Sequence, residues 1–330
     1  MSSKYIQGVF LLCAVPSLEA VSLSKRYGTL VALASLNLKL QGSKCVGFLG
    51  PNGAGKTTTL KIFSDMIRAS EGEAYINGVE IKANKRLALA SCGVLVETPE
   101  IYPALTAREA LSMFAEIKGV PKGKRSERVN EVVAEVRMED WIDGKVGKFS
   151  KGMKQRINIA AALIGDPEIL ILDEPTSGLD PRGMAEVREI LKSLKRRNKL
   201  IFMSSHLLNE VTDICDEVAL INKGRLLLYD SVMNVVTRNA DAEVEFEVQF
   251  SRPVDKSAIS SALAPIKSVR SIKEIDSRTL SISFSGGNSA QEAIVSELAS
   301  MNIGLLNFRA SNSTITALED VYLSLIKEVT

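Results

Sequence analysis

The sequence lacks an excess of charge of either sign: 41 lysines and arginines face 39 aspartates and glutamates, a formal net charge of +2. Nucleic-acid binders usually show a strong basic excess, so nothing here points to nucleic acid as a partner. The densest basic run, Lys192 to Lys199, reads as a solvated helix face. Cysteine is scarce as well. The four (Cys13, Cys45, Cys92, Cys215) are scattered, with no pair at metal-ligand or redox spacing, and read as small buried apolar side chains in a reducing compartment. Long hydrophobic runs are missing too. No apolar stretch reaches the roughly 18 to 20 residues of a membrane-spanning helix; the nearest candidate, Val9 to Val15, is stopped by Pro16. Lys4 is the only charged side chain ahead of that run, a poor secretory signal. Residues 1–16 are therefore expected to be a short extension, or to precede the native start, on a soluble cytoplasmic chain.

What is present is the mix of an ordinary folded protein, 45 % apolar and 24 % charged, over a length that suits two domains. Leu18 to Leu23 and Ala32 to Leu40 alternate as half-buried strands do, and Lys44 to Leu49 is an apolar run feeding directly into glycines. From Thr106 to Val136 the apolar residues recur at three-to-four spacing, the period of a helix. Ile169–Leu172 and Leu200–Met203 read as further buried strands. Strands alternating with helices predict an α/β fold with a mainly parallel core sheet. Near Asn239 the character changes. Beyond it strands are expected at Glu243–Phe250, Val269–Ile275, Thr279–Phe284 and Ile303–Phe308. Helices are expected at Lys256–Leu263 and Gln291–Met301, with a closing helix at Leu318–Lys327. That order, βαββαβ, is the ferredoxin-like arrangement of a small α+β domain.

Gly50-Pro51-Asn52-Gly53-Ala54-Gly55-Lys56-Thr57 fits G-x-x-x-x-G-K-[ST], followed by Thr58. Phosphate oxygens need several converging donors, and a glycine-rich turn opening a helix supplies backbone N–H groups without Cβ clashes. Lys56 is then expected to reach the β- and γ-phosphates of ATP, and the Thr57 hydroxyl to bind Mg²⁺. Ile169-Leu170-Ile171-Leu172-Asp173-Glu174 ends a buried strand in two carboxylates. Behind a phosphate loop, Asp173 suits the metal and Glu174 suits a general base acting on the attacking water.

Phe149-Ser150-Lys151-Gly152-Met153-Lys154-Gln155-Arg156, a short distance before that strand, resembles the signature sequence of the ABC ATPases, which usually reads LSGGQ. The resemblance covers roughly Leu18 to Val236. It implies an ABC nucleotide-binding domain at 17–238, with an antiparallel β subdomain and a helical subdomain at about 100–165, and an accessory domain at 239–330. It implies ATP-driven dimerisation in which Ser150 and Gly152 meet the γ-phosphate held by the opposite subunit; Ser-x-Gly at a helix start suits an anion. Ser177-Gly178-Leu179-Asp180 is similar to the D-loop, Tyr27 to the aromatic that stacks on adenine, and His206, the only histidine, to the switch histidine. Two motifs depart from the family pattern. The Q-loop glutamine is Glu97, in Val96-Glu97-Thr98-Pro99, which offers Mg²⁺ an oxygen but no donor, and the signature carries Lys151 and Met153. These departures, with Tyr102-Pro103 and Leu318-Glu319-Asp320-Val321-Tyr322, resemble the bacitracin-type antibiotic exporter branch. A membrane-spanning partner subunit and a second ATPase subunit, a copy of this chain or a relative, are expected, with the chain on the inner face of the cell membrane. The alternative is a soluble ABC-type ATPase with no membrane partner, but the paired domains of translation factors and the long coiled coils of repair proteins are both missing. The tail does not suit an importer's β-barrel, and the signature argues against a kinase or GTPase.

Overall fold

The computed structural model describes residues 15–97, 101–238, 244–285, 287–301, 303–310, 318 and 321–322. Cys13, Thr98-Pro99, Glu319-Asp320 and most of the expected closing helix lie outside them. Contacts divide the chain into two units between Asp230 and Ser231.

The first unit opens with β1 (Ser17–Tyr27), β2 (Leu30–Gln41), β3 (Cys45–Leu49), α1 (Lys56–Phe63), β4 (Glu71–Ile76), β5 (Val79–Glu80), α2 (Lys85–Ala88) and β6 (Cys92–Leu95). A helical stretch follows: α3 (Ala107–Ile117), α4 (Arg125–Glu135) and α5 (Lys151–Leu163). The chain then returns through β7 (Ile169–Leu172), α6 (Pro181–Lys195), β8 (Leu200–Ser205), α7 (Leu208–Ile214), β9 (Glu217–Asn222) and β10 (Arg225–Ser231). The helical pattern from Thr106 to Val136 is thus two helices, parted near Pro121, which has no N–H to continue a helix. Thr106 starts α3 with a reciprocal capping box to Glu109.

The strands form two sheets. One is antiparallel, in the order β2-β1-β4-β5; the other runs β10-β9-β3-β8-β7-β6, with β9, β3, β8, β7 and β6 parallel. Parallel strands covered on both faces read as continuous apolar runs, and β3, β7 and β8 are buried along their whole length. Phe48 of β3 and Phe202 of β8 sit with ring centroids 5.3 Å apart, and Phe63 of α1 meets Phe202 edge-on at 6.1 Å. Full burial of such a side chain contributes about 1.5–3 kcal/mol. Leu18, Leu23, Leu36 and Leu40 of the antiparallel sheet join the same core, so α1 and the loop before it are gripped between the two sheets. On the other face of β3, the backbone at Gly47 lies close against Val211 of α7 and Cys215 just past its end. Cys45, Cys92 and Cys215 are buried and free; the fold brings Cys45 Sγ and Cys215 Sγ to 3.6 Å, a proximity their 170-residue separation conceals.

The second unit contains α8 (Val232–Arg238), β11 (Val244–Phe250), α9 (Lys256–Leu263), β12 (Val269–Asp276), β13 (Thr279–Phe284), α10 (Gly287–Ser300) and β14 (Leu305–Ala310). Its sheet is antiparallel in the order β12-β13-β11-β14, the ferredoxin-like topology anticipated from the sequence. Phe246, Val248, Phe250, Leu280, Ile282 and Phe284 occupy one sheet face and bury against Ile259, Leu263, Ile294 and Leu298 of α9 and α10. Phe246 stacks on Phe284 and Phe308 at 5.1 and 4.4 Å.

Candidate nucleotide site

The loop Gly50–Gly55 leaves the buried end of β3 and turns into α1. Gly55, the residue before the helix, has φ 108°, a conformation L side chains rarely adopt. A Cβ there would lie 2.6 Å from the carbonyl oxygen of Ala32. The loop therefore rests directly on the start of β2, which pairs back to Tyr27 at the end of β1. Tyr27 is half exposed, with Lys25 Nζ 5.0 Å from the centre of its ring. The first helical hydrogen bond of α1 runs from Thr59 N–H to Gly55 O at 3.0 Å. No side chain caps the helix, so the N–H groups of Lys56, Thr57 and Thr58 have no partner within it and form a cradle fit for phosphate oxygens.

Lys56 is only 5 % exposed. Its Nζ donates to Gly50 O at 2.7 Å and Pro51 O at 3.1 Å, folding the side chain over the loop, and lies 3.9 Å from Glu174 Oε1. Burial holds the ammonium pKa below its ordinary value, while Glu174 and Asp173 act in the opposite direction. Both acids stand at the end of β7. Asp173 Oδ1 accepts from Thr57 Oγ1 at 3.2 Å, placing two hard oxygens side by side, as a Mg²⁺ site requires. No group of three or more His, Cys, Asp or Glu side chains suited to a metal occurs among the described residues, so a cation here would need further oxygens from phosphate or water.

His206 follows β8, and its Nδ1 is 3.1 Å from Glu174 Oε1. Three strand ends, those of β3, β7 and β8, thus bring Lys56, Thr57, Asp173, Glu174 and His206 into one cluster. The carboxyl ends of parallel strands are where open α/β sheets bind ligands. Sequence reasoning missed the residues that fix this cluster. Ser204, fully buried, donates to Asp173 Oδ1 at 2.5 Å and accepts from Glu174 N–H at 2.9 Å. One hydroxyl thereby ties both carboxylate residues, and holds Glu174 at a φ of 43° that non-glycine residues seldom take. The signal was the pair Ser204-Ser205 directly before His206, hidden because serine at a strand end is common. Gln155 of α5 was likewise unassigned; its amide donates to Pro175 O at 2.8 Å.

The remaining expected residues lie elsewhere. Ser150 caps α5, accepting from Met153 N–H at 3.2 Å. Gly152 packs against Gly183 of α6, where a Cβ would stand 3.4 Å from the Gly183 Cα, and Asp180 caps α6 by accepting from Gly183 N–H at 3.3 Å. Lys151 Nζ lies against Gly178. The signature and D-loop segments therefore meet each other, and neither Ser150 nor Gly152 shares a hydrogen bond with the loop Gly50–Thr58. Glu97 is exposed, and its carboxylate pairs with Lys61 of α1, one helical turn beyond Thr57, not with Thr57 or Asp173.

The ABC transporter family model matches residues 33–177. The chain is 38 % identical over 244 residues to the uncharacterized ABC transporter ATP-binding protein YhcH of Bacillus subtilis strain 168, covering 73 % of this chain and 78 % of that one. It is 43 % identical over 211 residues to the bacitracin transport ATP-binding protein BcrA of Bacillus licheniformis, covering 64 % and 68 %. A solved ATP-binding subunit of an ABC transporter superimposes with a TM-score of 0.60 at 28 % identity, over 67 % of this chain and 92 % of that one. With the phosphate loop, the paired carboxylates and the signature helix in one fold, this chain belongs to the ATP-binding subunits of ABC transporters. No described helix is long and apolar enough to cross a membrane.

Proposed function

We propose that this subunit hydrolyses Mg²⁺-ATP between two ATPase chains and thereby drives export through a separate membrane-spanning partner, working at the inner face of the membrane. Residues 17–238 carry the nucleotide chemistry in this reading, and 239–330 form an accessory domain. The observation that carries it is the convergence of Lys56, Asp173, Glu174 and His206 at one mouth of the parallel sheet. The N–H groups of Lys56, Thr57 and Thr58, with the backbone from Gly50 through Pro51, Asn52, Gly53 and Ala54 to Gly55, cradle the phosphates, and Tyr27 stacks on the base. Thr57 and Asp173 hold Mg²⁺, which supplies charge neutralisation at the phosphates when bound. Glu174 accepts a proton from water as that water attacks the terminal phosphorus. With His206 Nδ1 engaged by Glu174, Nε2 is the imidazole edge left to face the phosphate, and donating there requires both ring protons. Ser150, Gly152 and Asp180 serve the nucleotide of the opposite chain. Glu97 acts in the loop that couples to the membrane subunit and turns to the metal only on leaving Lys61. Export is favoured by the relative named for bacitracin transport.

The test is Mg²⁺-dependent ATP hydrolysis by the purified chain and by Glu174→Gln. The expected result is unimpaired nucleotide binding with turnover reduced about 10²-fold or more, the scale of losing a positioned base. Turnover near that of the wild type would remove Glu174 from the role.

A further inference from the structure

Immediately after His206 the chain enters α7, whose third residue, Glu210, is 2 % exposed. Burying a carboxyl group is costly unless its oxygens are satisfied, and packing alone would be served by leucine at this position. Both oxygens are engaged. Oε1 accepts from Thr176 Oγ1, and Oε2 accepts from Ser205 Oγ at 2.7 Å; Ser205 Oγ in turn accepts from Leu207 N–H at 2.9 Å. No lysine or arginine pairs with Glu210 among the described residues. Its two donors sit on the two turns that bear the reacting groups: Thr176 is two residues beyond Glu174, and Ser205 is the residue before His206.

Building on the hydrolytic role given to Glu174 and His206, we propose that Glu210 is a positioning residue that locks the turn carrying His206 to the turn carrying Glu174. Ser204 fixes the two carboxylate residues to each other, but its hydroxyl makes no bond to the imidazole. The Thr176–Glu210–Ser205 bridge closes that gap from beneath, and sets the 3.1 Å separation of His206 Nδ1 and Glu174 Oε1. Glu210 reaches no substrate atom in this arrangement. Its effect passes wholly through His206.

A double-mutant cycle on the full chain tests this, comparing Glu210→Ala, His206→Ala and the double variant in steady-state ATP hydrolysis, with nucleotide affinity measured alongside. Glu210→Ala is expected to lower kcat about tenfold or more while affinity stays within about twofold, the signature of an interaction used only in the transition state. In the His206→Ala background the same change is expected to cost nothing further. Glu210→Gln, which keeps an acceptor for Thr176 and offers its amide to Ser205, is expected to restore most of the rate. Thr176→Val severs the bridge at its other end with little change of volume, and carries the test if Glu210→Ala does not fold; it too is expected to be silent without His206. Losses that multiply in the double variants, or a fall in affinity that matches the fall in kcat, would overturn the proposal. A His206→Ala chain as active as the wild type would instead sink the hydrolytic reading on which it rests.

Discussion

Replacing Gly55 by alanine separates the two demands that the phosphate loop makes on its glycines. The residue has φ 108°, and an added Cβ would stand 2.6 Å from Ala32 O and 2.8 Å from Leu33 Cδ2. The left-handed region costs an L residue about 1–2 kcal/mol. The contact with a backbone oxygen cannot be relieved by a rotamer change, so β2 or the loop must shift, and overpacking of that kind adds about 1–3 kcal/mol. The expected total is about 2–5 kcal/mol. Gly53 offers the control: its φ is 81°, but nothing in the protein lies within 4 Å of an added Cβ, so Gly53→Ala should cost only the backbone term of about 1–2 kcal/mol. Urea unfolding followed by the fluorescence of Trp141, the single tryptophan, reads the unit that carries the site. Destabilisation by Gly53→Ala equal to or larger than that by Gly55→Ala would refute the argument that β2 closes on the loop.

Two further outcomes concern the edges of the site. Tyr27→Ala should weaken ATP binding by about 1–3 kcal/mol, the measured range for aromatic–base stacking, and Tyr27→Phe should bind almost as the wild type does; isothermal titration distinguishes them, and equal affinity of all three proteins would take Tyr27 out of the site. Glu97→Gln should leave stability within about 1 kcal/mol, since an exposed pair such as Glu97–Lys61 contributes little. A carboxylate about 4 Å from a phosphate charge costs about 4 kcal/mol at an effective dielectric of 20, and Mg²⁺ reverses the sign. ATP-induced association should therefore depend more steeply on Mg²⁺ in the wild type than in Glu97→Gln, and superimposable titrations would confine Glu97 to coupling.

Strong local patterns carried most of the fold. The apolar runs Ile169–Leu172 and Thr279–Phe284 are strands with the expected bounds, and the ferredoxin-like order of the second unit followed from the succession of expected strands and helices. Strands β4, β5, β6, β9 and β10 were not anticipated. Short segments such as Glu71–Ile76, half exposed and rich in Glu and Gly, become strands through pairing with β1 rather than through their own pattern. The division at Asp230 also falls before the expected change of character near Asn239, with α8 assigned to the second unit. At the candidate site, Lys56, Asp173 and Glu174 stood out because phosphate and metal chemistry calls for those residue types at that spacing, and His206 because of its resemblance to the family's switch histidine. Ser204 and Glu210 were not, because their importance lies in what they touch across strand ends 30 or more residues apart.

In the proposed mechanism two chains close on ATP, the loop at Lys56 in one facing Ser150 and Gly152 of the other. Light scattering on the Glu174→Gln chain, with and without saturating Mg²⁺-ATP, tests it most directly. Binding without hydrolysis should hold the closed state, so the mass should double on adding ATP and return to that of one chain when Ser150 is also replaced by a bulky residue that blocks the seam. A Glu174→Gln chain that binds ATP yet keeps the mass of a single chain would contradict the account.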